Sequence, residues 1–252
     1  VVQGNTLTEP YHKEENGALR KFDFVVSNPP FNLDFSDFRD TLASDTVRFW
    51  AGVPSAPPKE KEKMSIYLCF IQHLINSLKT NGKGAIVIPT GFITSKKKSK
   101  PIQYNILKRI VDEHWIYGCI SMPSNVFANT GTNVSVLFFD KAASAEKVIL
   151  IDASKLGEEY KEGKNKKRRL LNDDIDLIVN TFKNKKAVEN FSVAVSYAEI
   201  KEKGYSLSAG QYFDIKIDYV DITEEEFNNR MANYKAELSR QFAESHRLEE
   251  EI

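Results

Sequence analysis

The sequence predicts an α/β fold with a mostly parallel sheet, and three observations carry that reading. Apolar runs of strand length recur at Lys21–Ser27, Gly84–Pro89, Trp115–Ser121 and Val134–Asp140. The first three are separated by segments whose apolar residues fall at helical period, as when crossover helices join parallel strands. The 252 residues suffice for one or two domains with a real core.

The elements follow in order. KFDFVVS reads as a buried strand that stops at Asn28-Pro29-Pro30, because a proline pair ends both ladder and helix. Phe31–Pro58 shows little periodicity and reads as a long irregular loop, a feature that is uncommon in compact domains and often functional. Ile66, Tyr67, Phe70, Ile71, Leu74, Ile75 and Leu78 predict a helix over Ser65–Leu78, with a stop at Asn81-Gly82. GAIVIP is the second strand, Thr90–Pro101 a basic loop, and Ile102–Glu113 the next helix. Trp115–Ser121 and Val134–Asp140 are linked by MPSNVFANTGTN, without helix length between them, and so form an antiparallel hairpin. Lys147–Ile151 is a fifth short strand.

Beyond Asp152 the texture changes. Lys155–Asn172 is charged, Asp173–Lys183 has helical period, and Tyr197–Asp214 is mixed. Glu224–Ile252 is one long helix with a heptad seam of Phe227, Met231, Tyr234, Leu238, Gln241, Ser245, Leu248 and Ile252. That seam packs either on its own domain or on a partner. Three parts are therefore expected: 1–152, 153–222 and 223–252.

Composition excludes several classes. Thirty-five basic residues balance thirty-five acidic ones, and 41% hydrophobic residues suit a globular chain and not a disordered one. No apolar run reaches the length of a membrane span, and the start has no secretory leader pattern. Cys69 and Cys119 sit in apolar runs and read as buried free thiols, suited to a reducing compartment. The four histidines have no metal-ligand spacing, so no metal site is expected. Basic clusters at Lys96, Lys97, Lys98 and Lys100, at Lys164, Lys166, Lys167, Arg168 and Arg169, and at Lys183, Lys185 and Lys186 fit solvated loops or a polyanion partner.

One motif carries chemistry. In open parallel sheets, ligands bind beyond the carboxyl ends of the strands, and Asn28-Pro29-Pro30-Phe31 follows such an end. The Asn28 carboxamide oxygen and the Pro29 carbonyl can both accept from one amino group, with the prolines fixing the backbone so that they converge. Phe31 offers a face to a planar base. An exocyclic amine gripped by two acceptors gains a pyramidal nitrogen with its lone pair free to attack, so positioning and electrostatics suffice without an enzyme nucleophile. A base inside a duplex must first be flipped out.

These residues resemble a known family. FDFVVSNPPFN resembles motif IV of the amino-methyltransferases, Asn/Asp/Ser-Pro-Pro-aromatic, and GAIVIPTGFIT resembles the following strand and loop of adenine-N6 DNA methylases. IYGCISMPSNVFANTGTNVSVLFFDK is similar to the modification subunit of type I restriction-modification systems, and YSLSAGQYFD fits the same family. The resemblance implies the C-terminal part of a Rossmann-like, S-adenosylmethionine-dependent methyltransferase sheet, followed by an α-rich extension and a long C-terminal helix. It implies methyl transfer to the N6 amino group of adenine in DNA, in the cytoplasm and away from membranes. The implied partners are DNA, a specificity subunit and a restriction subunit. It assigns Asn28, Pro29, Pro30 and Phe31 to the target adenine and Phe127 to its other face. VVQGNTL resembles a Gly-Asp-x-Leu segment whose acidic residue reads the cofactor adenine, and here that position is Asn5.

The family's glycine-rich cofactor loop and ribose-binding acid are expected upstream of Val1, in a longer protein. Two further strands from there would cover the Lys21–Ser27 strand, which is otherwise a hydrophobic edge. A non-catalytic scaffold that docks a specificity subunit or DNA, and an RNA or protein amine methyltransferase, stay open as alternatives.

Overall fold

The computed structural model describes residues 2–94, 96, 99–126, 132–163, 165–213 and 222–251. The chain forms two compact units, Val1–Phe213 and Asp214–Ile252.

In the first unit, β1 (Phe22–Ser27) is followed by a short helix α1 (Arg39–Ser44), then α2 (Tyr67–Ser77) and β2 (Leu78–Pro89). Next come α3 (Pro101–Asp112), β3 (Ile116–Ser121), β4 (Val134–Asp140) and β5 (Lys147–Asp152). The unit ends with a hairpin of β6 (Glu158–Glu162) and β7 (Asn165–Arg169), then α4 (Asn172–Asn184), β8 (Ser192–Ser196) and α5 (Tyr197–Glu202). Six strands make one sheet in the order β1-β2-β4-β3-β5-β8. β1 runs parallel to β2 and β3 parallel to β5, while β4 is antiparallel to both β2 and β3. Hence β1, β2, β3 and β5 all point the same way, and their carboxyl ends share one edge. The antiparallel β3–β4 pair is the hairpin that the short linker predicts.

Strand alternation sorts the side chains onto two faces. On one face Ile86, Ile88, Leu137, Phe139, Val148 and Leu150 meet α2 and α3 in the main core. α3 starts at Pro101, whose fixed φ suits the first helical turn. On the other face α4 covers the β3–β5 side: Ile178 and Phe182 pack with Ile120, Ile149, Ile151 and Phe138. The β1 side of that face is open, and Phe24 and Val26 are 77% and 82% exposed. Among the described residues β1 is an edge strand of the sheet.

Three features go beyond the expectations from sequence. Phe31–Pro58 is not structureless. It carries α1 and builds a second core from Leu7, Phe35, Leu42, Phe49 and Val53 against Met64, Ile66 and Cys69. Single turns space these apolar residues without a repeating period, so periodicity misses them. Gln72 on α2 clamps the segment, accepting from Ala51 N–H at 2.8 Å and donating to Gly52 O at 3.0 Å. Second, the charged stretch 155–172 carries the β6–β7 hairpin, so the extension holds strands beside its helices α4 and α5. Third, packing does not break after residue 152, because β8 pairs with β5 and Tyr197 on α5 donates to Ile116 O at 2.8 Å. Residues 153–213 belong to the same compact unit as the sheet.

Both cysteines are free and buried, and burial pushes each thiol up to about 12. In the second unit, α6 (Glu224–Glu251) is a single helix with no buried residue. Thr223 Oγ1 accepts from Glu226 N–H at 3.2 Å as its cap, and Glu224, Glu225 and Glu226 favour the positive end of the helix dipole. The described seam residues Phe227, Met231, Tyr234, Leu238 and Leu248 are exposed, with Phe242 beside them; Ile252 lies outside the described residues.

Candidate active site

The site begins where β1 ends. Pro29 is buried while Asn28 and Pro30 are exposed, so the Pro-Pro turn is pinned at its centre and presents the residues on either side. Phe31 is half-buried against the main core. Leu33 N–H donates to Met64 O at 3.1 Å and fixes the chain leaving the turn.

Two concavities flank this turn. Phe31 and Asn32 line a cavity of about 430 Å³ with Tyr67 from α2, Phe92 after β2, Lys100 and Gln103 at the start of α3, and Thr132. Asn28 lines a shallower, mainly apolar cleft of about 280 Å³ with Val26, Ser27, Ala85, Val87 and Val136. Asn28 and Phe31 thus each line one of two concavities at the turn. The first cavity lies within the usual size range of ligand sites.

Its walls are held firmly. The rings of Tyr67 and Phe92 meet edge to face at 6.2 Å. Burial pushes the Tyr67 phenol up to about 12, with Gln103 as its hydrogen-bonding neighbour, so it stays a neutral donor. Thr90 N–H donates to Asn133 O at 2.8 Å, and the Thr90 and Ser135 hydroxyls lie 3.0 Å apart, which ties the end of β2 to the start of β4 beside Thr132. Among the described residues neither lining contains an acidic side chain, and exposed Lys100 stands on the larger cavity.

The other expected residues are less directly placed. Phe127 lies outside the described residues. Asn5 caps its own turn, its Oδ1 accepting from Leu7 N–H at 3.1 Å and Thr8 N–H at 3.3 Å. Sequence reasoning missed Tyr67, Phe92 and Gln103. Tyr67 looked like one more apolar position of a core helix, and only its place at the amino end of α2, in the lining shared with Phe31, marks it. Among the described residues no group of three or more His, Cys, Asp or Glu is placed to hold a metal ion, and no helix is long and apolar enough to cross a membrane.

A parallel sheet with one reversed strand between its members, and Asn-Pro-Pro-Phe at the carboxyl end of an edge strand, defines an α/β methyltransferase. Residues 1–219 match the N-6 DNA Methylase family, and the chain belongs to that family. It is 32% identical over 221 residues to the type I restriction enzyme MpnII methylase subunit of Mycoplasma pneumoniae, covering 84% of this chain and 37% of that protein. It is 28% identical to the MjaIX methylase subunit of Methanocaldococcus jannaschii, covering 98% of this chain and 44% of that one. Among solved structures, the type I restriction-modification methyltransferase subunit from Streptococcus thermophilus superposes with a TM-score of 0.66 at 28% identity, covering 83% of this chain and 41% of that chain. The chain thus spans less than half the length of each of these relatives.

Proposed function

We propose that this chain forms the acceptor side of an adenine-N6 DNA methyltransferase, within the modification subunit of a type I restriction-modification system. The observation that carries this reading is the Asn28-Pro29-Pro30-Phe31 turn at the carboxyl end of β1, whose residues line an aromatic cavity and an open apolar cleft.

A target adenine swung out of the duplex is planar and needs a stacking surface, which Phe31 and the aromatic wall of Tyr67 and Phe92 provide. Phe127 would cover its other face. The amino group donates to the Asn28 carboxamide oxygen and the Pro29 carbonyl, and these two acceptors hold the nitrogen lone pair toward the cleft. Pro30 keeps the turn rigid, so little reorganisation is needed when charge develops on that nitrogen. Lys100 at the cavity suits an anionic nucleic acid, and Gln103 can pair with a base edge.

S-adenosylmethionine supplies an electrophilic methyl group when bound. The apolar cleft beside Asn28 fits its methyl-bearing end. Asn5 would meet its adenine with the Nδ2 donors and the remaining lone pair of a carboxamide already engaged in its own turn. Among the described residues neither cavity lining offers a carboxylate for its ribose hydroxyls.

DNA and a specificity subunit are the partners this function uses, and the restriction subunit of the same system is a further partner that methyl transfer itself does not need. The exposed apolar stripe of α6 is the surface we assign to the specificity subunit, since such a narrow stripe gains most of its stability by packing. The test offers DNA, RNA and protein as methyl acceptors to the full-length subunit assembled with its partners. Methylated adenine in DNA alone is the expected product. Label in RNA or protein would move the assignment to another amine methyltransferase, and no label in any acceptor would favour a scaffold.

A further inference from the structure

The β6–β7 hairpin leaves the same sheet edge as the Asn28–Phe31 turn, directly after β5. Its base is built in: Leu156 and Leu170 pack with Met122 and Ile151, and Ala153 N–H donates to Ser121 O at 2.9 Å. Arg168 N–H donates to Asn125 O at 3.1 Å, joining β7 to the segment after β3. That segment leads on to Thr132, which lines the aromatic cavity.

Near its base the hairpin is electrostatically self-consistent. Glu158 faces Arg169 and Glu159 faces Arg168 across the strands, each pair forming an ion pair. Toward the tip this logic reverses. Lys161 stands directly opposite Lys166, so the two side chains project on one face of the ribbon. Both are exposed, and among the described residues neither has a carboxylate partner. Like charges directly opposed in a ladder are destabilising, so the pair does not serve the hairpin's own stability. An exposed cation pair at the ligand edge of the sheet matches the spaced negative charge of a nucleic-acid backbone.

We propose that the Lys161–Lys166 pair grips the phosphate backbone of DNA beside the flipped base, so that the β6–β7 hairpin positions the duplex over the site. This inference rests on the DNA-methyltransferase reading. Backbone contacts are sequence-independent, so duplex DNA of arbitrary sequence is a sufficient probe.

The experiment compares the full-length assembled protein with two variants, Lys161→Ala/Lys166→Ala and Lys161→Glu. Each is measured for DNA affinity across a salt series, for methylation kinetics and for thermal unfolding. Removing two phosphate contacts lowers the slope of log affinity against log salt by roughly 1.8. KM for DNA rises, while kcat at saturating DNA is unchanged. Lys161→Glu creates an opposite-charge pair with Lys166, so its unfolding midpoint is equal to or above that of wild type even as its DNA binding weakens. That combination separates a DNA contact from a structural role. Wild-type affinity and salt slope in both variants, with wild type methylating DNA normally, overturn the hairpin contact alone. A wild-type protein that binds no DNA overturns the underlying reading and this inference with it.

Discussion

The ring of Phe182 on α4 lies directly on the backbone of Gly118 in β3, so closely that a Cβ at position 118 would overlap the ring edge. The contact is what seats the helix after the β6–β7 hairpin on the sheet, with the Phe138 ring 4.5 Å from Phe182 completing the cluster.

Gly118→Ala should therefore destabilise the folded chain by about 1–3 kcal/mol, the usual cost of overpacking. Gly118→Ala combined with Phe182→Leu should cost less than the sum of the two single changes, because the neighbours share one space. Chemical denaturation of the four forms checks this, and additive effects would show that the ring is not what excludes a side chain at 118.

His73 makes stability pH-dependent. Burial, with Arg48 and Lys21 close by, pulls its pKa down to about 4 against the opposing pull of Asp45, and Arg48 Nη1 lies 3.5 Å from its Nδ1. The native state keeps this ring neutral where the unfolded chain would protonate it. Its contribution is therefore intact above about pH 6.5 and is lost as pH falls toward 4, by up to about 3 kcal/mol. His73→Gln should flatten the fall in unfolding free energy between about pH 7 and pH 4.5. An unchanged pH slope would contradict the assignment.

Gln72 is fully buried, and its carboxamide serves Ala51 N–H, Gly52 O and Leu68 O. Gln72→Leu leaves the two loop groups unpaired, at about 1–3 kcal/mol for each one that stays buried. Limited proteolysis should then cut within residues 31–64 well before global unfolding. Unchanged resistance would mean that the second core alone holds this segment.

What the sequence made legible follows its periodicity. β4 was legible to the residue because VSVLFFD is bounded on both sides by turn chemistry. α2 and α3 were legible because their apolar positions repeat over three turns. The 31–58 segment was not, since its second core is assembled from residues far apart in sequence, Leu7 to Cys69. The β6–β7 hairpin was hidden because its cross-strand partners are charges and not apolar residues. Within the site, Asn28, Pro29 and Phe31 were legible as one motif. Their distribution over two concavities was not, because it depends on how α2 and α3 pack around Phe31.

The α6 stripe gives a further prediction. Truncation after Asp221 in the full-length subunit should abolish assembly with the specificity subunit while leaving cofactor binding by the isolated subunit intact, since α6 has no buried residue to lose. Pull-down and equilibrium binding measure the two separately. Normal assembly of the truncated form would show that the stripe is not the docking surface.

The central claim is that Asn28 holds the amino group that is methylated. The most direct test is the single-turnover rate of DNA adenine methylation by the full-length assembled protein, wild type against Asn28→Ala. Because Asn28 is exposed, the substitution should leave folding and duplex affinity unchanged. The rate should fall by roughly 10²–10³-fold, the typical loss when one preorganised polar group at a reacting centre is removed. An Asn28→Ala protein that methylates DNA at the wild-type rate would contradict the account.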